Sequence, residues 1–299
     1  MNEAVGARLG YGVSGPHGAK WFSEKKLHAL IDSAIAGGIR RFDTAGFYGE
    51  AEARLGRALR GQPHVEISTK TGTRRLSNGK MTKDFSEAAI RADVEVSLVG
   101  LNREQIDILY LHGPDPDEIE EAAPTLEALK KEGKVAAIGT CNSGLALRMA
   151  VRTDLFDAAM APFNLINREN EEAFRLAKAR NMETVAIAPL AQGMFDPSFY
   201  RVRRPVDFWR LAKNFAGQRE DMKRAKSVWP QLEAIEGWSP AQAALGFVLE
   251  HDFIDKALTT TSNPDHLAES IEASVRNMSP EILFKLSNAI GPADGSDVP

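Results

Sequence analysis

Short runs of apolar and β-prone residues alternate along the chain with longer stretches whose apolar positions recur every three or four residues. The runs predict strands at 8–15, 39–45, 65–70, 106–111, 135–140, 158–162, 184–188 and 256–261. The helical spacing falls between them. Ser23 caps a helix with Leu27, Leu30, Ile31 and Ala34 on one face, closed by Gly37-Gly38. Further helices are predicted over 52–59, 86–99, 117–132, 145–152, 171–180, 264–274 and 279–289. The segment 197–236 is mostly helical in composition, and Ser239-Pro240 opens another helix. Residues 71–84 are polar and contain glycine, so they read as a loop. Strands separated by helices should be parallel neighbours. Eight such units in 299 residues predict a closed (β/α)8 TIM barrel, with an open doubly wound sheet as the alternative. The expected organisation is one domain over 1–299, with a helical insertion around 197–236 and a loose tail after 291.

Composition narrows the picture. The chain is 43% hydrophobic and 26% charged, enough for a large core. Its net charge of −4 is too small to imply nucleic acid or a membrane surface as a general partner. One cysteine, Cys141, excludes an intramolecular disulfide and any cysteine-cluster zinc site. No basic leader precedes an apolar run, and no apolar stretch approaches the ~20 residues of a membrane span. The expectation is a soluble cytoplasmic protein, monomeric or a small homo-oligomer, with no metal. Gly10-x-Gly12-x-x-Gly15 matches a dinucleotide fingerprint, but that motif needs a preceding strand and an immediate helix. Here nine residues precede it and Pro16 follows, so a glycine-rich strand-to-loop turn is the better reading.

The candidate chemistry lies where three successive predicted strands end: Asp43 with Tyr48, Lys70, and His112. Ammonium groups resist burial unless paired, so a Lys closing a strand pattern needs a partner. In a barrel, the C-terminal strand ends share one mouth, which brings these four residues together. A phenol titrates near 10, and an adjacent ammonium favours its ionised form. Lys70 is therefore expected to lower the Tyr48 pKa, Asp43 to keep Lys70 charged, and His112 to donate to a substrate oxygen or relay the proton. Such a group protonates a carbonyl or deprotonates an alcohol. The accompanying hydride must come from a nicotinamide cofactor, because no side chain supplies one. Each residue alone fits an ordinary cap, ion pair or buried aromatic; their joint placement is what points to a site.

At these residues the chain resembles the aldo-keto reductase superfamily. Phe42-Asp43-Thr44-Ala45 through Tyr48-Gly49, Glu52 and Leu55-Gly56 are similar to its signature, as are Ser68-Thr69-Lys70 and Leu109-Tyr110-Leu111-His112-Gly113-Pro114-Asp115. Ile138-Gly139-Thr140-Cys141-Asn142, Phe163 to Arg168, Ala188 to Gly193, Ser239 to Leu245 and Thr261 to Leu267 follow in the family's order. The resemblance implies a (β/α)8 barrel and reduction of a small-molecule carbonyl by NADPH, with Tyr48 as general acid and Asp43, Lys70 and His112 completing a tetrad. It also implies a cofactor site. Cys141 and Asn142 stand where the family has Ser-Asn on the carboxamide, Met160 where it often has Gln, and Ile187 where it often has a stacking aromatic. Pro189, Leu190, Gln192 and Gly193 match the loop after the seventh strand. Thr261 opens the family's final cofactor loop, Thr260, Ser262 and His266 occupy the place where Lys or Arg usually grips a 2′-phosphate, and Glu269 matches an acid often near the adenine. NADP(H) is the expected cofactor, with NAD(H) as the alternative.

A basic stretch follows the strand-7 loop, and Arg201, Arg203 and Arg204 are candidates for a cofactor phosphate, against a solvated basic helix face. Trp21, Phe22, Phe47 and Trp209 are candidate walls of a substrate pocket. Arg74, Arg75 and Lys80 on the 71–84 loop are candidates to meet an anionic substrate, against a solvated loop. Because the cofactor contacts depart from the family's, a redox-neutral dehydratase, lyase or epimerase on the same scaffold is the second functional reading. A non-catalytic nucleotide sensor is the third, and the complete tetrad argues against it.

Overall fold

The computed structural model describes residues 8–75, 80–196, 199 and 219–289. Eight parallel strands close into a barrel: β1 (Leu9–Gly12), β2 (Arg41–Asp43), β3 (Glu66–Thr71), β6 (Ile106–His112), β7 (Val135–Cys141), β8 (Ala158–Pro162), β9 (Glu183–Ile187) and β10 (Lys256–Thr259). Each pairs with its neighbour in sequence, and β1 closes the ring against β10 with Leu9 beside Ala257. The closed barrel is therefore the architecture, and the open sheet is not. Strands β4 (Thr73–Arg75) and β5 (Met81–Lys83) form a separate antiparallel hairpin.

Helices separate the strands: α1 (Glu24–Ala36), α2 (Ala51–Ala58), α3 (Glu87–Leu101), α4 (Pro116–Lys131), α5 (Gly144–Ala150) and α6 (Glu171–Ala179). After β9 come α7 (Arg219–Glu233) and α8 (Pro240–Leu249), and after β10 come α9 (Pro264–Ser274) and α10 (Pro280–Ser287). The local signals act as their chemistry dictates. Ser23 accepts from the Lys26 amide at the start of α1, and Ser239 forms a capping box with Gln242 at α8. Leu27, Leu30, Ile31 and Ala34 are the buried stripe of α1. Burying each such Leu or Ile contributes about 1.5–3 kcal/mol, which is why the apolar stripe rather than propensity decides these helices.

Strand alternation sorts the barrel into three inward layers. At the N-terminal end, buried Arg41 meets Glu66 at 2.8 Å and Glu183 at 3.1 Å, with Lys256 4.0 Å from Glu183. Above them Ile108, Tyr110, Ala158, Val185 and Leu258 form an apolar plug. Tyr110 lies across Gly139, where an added Cβ would sit 2.3 Å from its ring. Above that plug, Asp43, Lys70, His112, Cys141, Met160 and Ile187 open onto the C-terminal mouth. Outward residues bond to the helices instead: Thr69 Oγ donates to Glu52 on α2, and Thr71 Oγ to Asp93 on α3. Gly12 of the discounted fingerprint packs against β10's exit, where an added Cβ would be 2.2 Å from Thr260 Oγ. Barrel packing thus accounts for that glycine without a phosphate.

Two expectations change. Part of the predicted 71–84 loop is the β4–β5 hairpin, with Thr73 opposite Lys83; it is docked by Thr73 Oγ donating to the His112 carbonyl at 2.8 Å and by Arg74 donating to Asp93. These partners are distant in sequence, so the local polarity of the segment does not report them. The second strand is shorter than predicted, at Arg41–Asp43, because the chain beyond it turns to carry Tyr48. Of the 197–236 segment, α7 is described, with Met222, Ala225, Val228 and Leu232 buried, Lys223 and Arg224 exposed, and Lys223 paired to Glu220. That is a solvated basic face over an apolar one. Removing one partner of a buried ion pair strands the other charge. Accordingly Glu183→Ala is expected to lower unfolding stability by about 2 kcal/mol in denaturant titration, with Glu66 retaining part of the Arg41 contact.

Candidate active site

The centre of the mouth is Lys70. Its ammonium is nearly fully buried and donates to Asp43 Oδ2 at 2.5 Å and to the Thr44 carbonyl at 2.8 Å. Asp43 Oδ1 accepts from Ser68 Oγ at 2.8 Å, so each carboxylate oxygen has a donor. The register that sets Asp43 beside Ser68 makes this possible, because Lys70 lies two residues further along the same face of β3. Burial alone would push the Lys70 ammonium down, but the Asp43 carboxylate outweighs it and holds it above the usual lysine range. Lys70 is a permanent cation here.

Tyr48 sits on the short 3₁₀ turn Gly46–Tyr48 that follows β2. The Lys70 ammonium lies 5.4 Å from its ring centroid, and the His112 ring is 6.4 Å away, edge to face. Burial raises the phenol above its ordinary value; Lys70 pulls it down without overcoming that, and Asp43 adds to the rise. The expected net lowering is thus corrected: desolvation, which sequence spacing does not reveal, wins. The phenol is held in its protonated form. His112 is also shifted by burial first, then by Lys70 and Lys83, down to about 4. It is a neutral imidazole at physiological pH, and its Nδ1 is buried without a partner.

These four residues line one cavity of about 870 Å³. Every barrel strand contributes to it through its C-terminal end: Gly12, Asp43, Lys70, His112, Cys141, Met160, Ile187 and Leu258 with Thr259. Two sets of loops extend it. Pro189, Leu190, Gln192 and Gly193 come from the turn after β9, and Thr260, Thr261, Ser262, His266 and Glu269 from the β10–α9 connection. Ser239 also lines it, and its hydroxyl donates to Glu269. The volume lies within the ~300–1,000 Å³ of small-molecule and cofactor sites. A mostly apolar floor at Met160, Ile187 and Leu258, with hydroxyls and carboxylates further along, has the chemistry to hold a nicotinamide nucleotide.

Not every expected residue belongs to this cavity. Asn142 does not line it; its amide donates to the Pro114 carbonyl at 2.6 Å and accepts from the Ser143 amide at 3.0 Å. Its hydrogen bonds go to the β6–α4 connection and to the next residue, leaving Cys141, whose thiol burial raises to about 11, facing the cavity. Phe22 is not a pocket wall: it is 7% exposed and packed edge-on against His17 at 5.0 Å. Trp21 is 78% exposed and touches the edge of Phe22. Phe47 stands closer, 6.0 Å from the Tyr48 ring and 6.2 Å from His112. Arg74 is bound to Asp93 and the Ala89 carbonyl. Arg201, Arg203, Arg204 and Trp209 lie outside the described residues. Sequence reasoning passed over Phe195, Asp196, Phe199 and Ser239, which complete one wall. Only Ser239 had a local signal, its helix cap, and that signal spoke of structure.

Among the described residues no helix is long and apolar enough to cross a membrane, and no group of three or more His, Cys, Asp or Glu is placed to hold a metal ion. The model of the Aldo/keto reductase family matches residues 8–288. The D-threo-aldose 1-dehydrogenase of Pseudomonas sp is 34% identical, over 94% of this chain and 93% of its own length. The NADH-specific methylglyoxal reductase of Escherichia coli is 26% identical, over 88% of this chain and 87% of its own. The holo form of an aldo-keto reductase from Bacillus halodurans superposes with a TM-score of 0.80 at 24% identity, covering 94% of this chain and 91% of that one, a likeness of fold.

Two outcomes follow from the geometry. Lys70→Met leaves the Asp43 carboxylate buried with Ser68 alone, and should cost about 3 kcal/mol of unfolding stability, part of it recovered when Asp43→Asn is added. His17 and His112 both titrate near 4 in the folded protein, below the ordinary 6.5. The unfolded chain then binds more protons between pH 6.5 and 4, so stability is full above that window and falls as pH drops through it. A melting-temperature profile should show the decline, and His112→Gln should make it shallower.

Proposed function

The chain belongs to the aldo/keto reductase family, and we propose that it is a nicotinamide-dependent oxidoreductase interconverting an aldehyde or ketone with its alcohol. The observation that carries this reading is the meeting of a protonated phenol, a charge-paired ammonium and a neutral imidazole at one end of a cavity large enough for a nucleotide. A bound nicotinamide supplies the hydride, or accepts it in the reverse direction.

The chain's own residues handle the proton. In reduction, Tyr48 gives its phenolic proton to the carbonyl oxygen as charge develops there. Burial keeps that proton on the phenol until it is needed, and Lys70 stabilises the phenolate left behind. Asp43 and the Thr44 carbonyl fix the ammonium in place. His112, neutral and half-buried, donates a hydrogen bond to the substrate oxygen from its protonated ring nitrogen. In oxidation Tyr48 is the base and the same contacts run in reverse.

Met160, Ile187 and Cys141 would seat the nicotinamide, and the Pro189–Gly193 turn with Thr261, Ser262, His266 and Glu269 would hold the remainder. Among the described residues that line the cavity, Lys70 is the one Lys or Arg, and Glu269 adds a carboxylate. Glu269 supports NAD(H), whose ribose hydroxyl can donate to a carboxylate, while a 2′-phosphate of NADP(H) would call on Arg201, Arg203 or Arg204, which lie outside the described residues. The 34% identity to D-threo-aldose 1-dehydrogenase supports a sugar or other hydroxylated carbonyl compound as substrate.

Calorimetric titration with NADH and NADPH, followed by turnover assays over aldehydes, ketones, sugars and alcohols, tests the reading. Tyr48→Phe should retain the fold and nucleotide affinity while kcat falls about 10²–10⁴-fold. Full activity in Tyr48→Phe would sink the mechanism. Binding of neither nucleotide would replace it with the redox-neutral reading, for which the diversion of the Asn142 amide is the motivating contact.

A further inference from the structure

Tyr48 rides on a three-residue 3₁₀ turn that has no side-chain cap, begins at Gly46 and is followed by Gly49. Such a turn has little stiffness of its own, so contacts from elsewhere must place the phenol. Those contacts come from the β1–α1 connection, which nothing in the proposed chemistry uses. Gly18 presses directly on the turn: a Cβ on it would lie 1.6 Å from the Tyr48 carbonyl oxygen. The Glu50 amide donates to the Gly18 carbonyl at 3.1 Å, locking the two backbones together. Behind them Arg54, itself buried, donates to the His17 carbonyl at 3.2 Å and the Phe22 carbonyl at 2.8 Å while holding Glu50 at 2.7 Å.

Strand β1, which leads into that connection, reaches the other half of the site. Tyr11, fully buried, donates its hydroxyl to the Thr261 carbonyl at 2.6 Å and lies 3.5 Å from His17 Nε2. Thr261 lines the cavity on the nucleotide side. The segment Tyr11 to Gly18, buried at both ends, therefore touches the backbone of the Tyr48 turn at one end and the β10–α9 connection at the other.

Resting on Tyr48 as the proton donor, we propose that Gly18 and Tyr11 are positioning residues. Gly18 sets the height of the Tyr48 turn, and Tyr11 ties that setting to the Thr261 loop, so that seating the nucleotide and placing the phenol are coupled. Neither residue touches the reacting atoms. Their effect is one of aim, and a misplacement near 1 Å can cost about 10²-fold in rate.

The test is a pair of double-mutant cycles read as kcat at saturating nucleotide, with active sites counted by nucleotide titration. Tyr11→Phe removes one hydroxyl without changing volume. It should raise the nucleotide Kd and also lower kcat about tenfold, although its hydroxyl is remote from the chemistry. Gly18→Ala should lower kcat about ten- to a hundredfold. In a Tyr48→Phe background both kcat losses should largely vanish, because there is no phenolic proton left to aim. A merely structural role would lower the folded fraction, which the count of active sites removes, and would leave kcat per site unchanged in either background. If Gly18→Ala does not fold, the Tyr11→Phe cycle decides alone. Losses fully additive with Tyr48→Phe overturn the positioning and leave the mechanism standing; an unimpaired Tyr48→Phe removes the mechanism and this inference with it.

Discussion

A buried ammonium is the constraint on which the mouth of this barrel is built. Lys70 is 3% exposed along its side chain, and its partner Asp43 is 9% exposed. Charges so far from water are tolerated only with close, complete hydrogen bonding. The fold supplies it by pairing β2 and β3 in parallel with Asp43 beside Ser68, so that both carboxylate oxygens and the Thr44 carbonyl are occupied. Strand β3 is held on its other face too, by Glu52 and Asp93 reaching in from α2 and α3. The cation cannot shift without disturbing the barrel wall, and that rigidity gives its field a fixed direction toward Tyr48.

The two ends of the barrel treat charge differently. At the N-terminal end, Arg41 is paired with carboxylates that still reach water, Glu66 at 51% and Glu183 at 26% exposure. At the C-terminal end the charges face a cavity whose walls are apolar along one side. Between the ends, Tyr110 and its neighbours exclude water from the lumen. The electrostatic influence of Lys70 and Asp43 is therefore spent on the mouth. There desolvation keeps Tyr48 protonated against the pull of Lys70, and desolvation and Lys70 together keep His112 neutral. A protonated phenol, a fixed cation and a neutral imidazole result from one environment acting on three different side chains.

The β1–α1 connection gives the site a support that is easy to overlook. It is built largely from backbone: a glycine whose missing side chain admits the Tyr48 carbonyl, carbonyls gripped by Arg54, and one hydroxyl on the Thr261 carbonyl. Backbone contacts of this kind tolerate little displacement, which suits a part whose task is placement.

What the sequence determined by itself was whatever depends on local pattern. Strand and helix alternation specified a barrel, and polar residues at the ends of apolar runs specified Asp43, Lys70 and His112, because strand period and the common direction of parallel strands are local properties. The same reading took Tyr48 with Asp43, and motif order added most of the cavity's far wall. Tertiary structure alone decided the rest. Phe22 became core and Trp21 surface, since an aromatic in a loop carries no record of which way it faces. Asn142 turned away from the cavity because the Pro114 carbonyl on the neighbouring β6–α4 connection and the adjacent Ser143 amide were available to it. The hairpin at Thr73 and the Gly18 contact join residues about thirty or more apart in sequence. The direction of the Tyr48 shift reversed, because pairing with Lys70 is legible as spacing, whereas desolvation exists only once the chain has closed around the phenol.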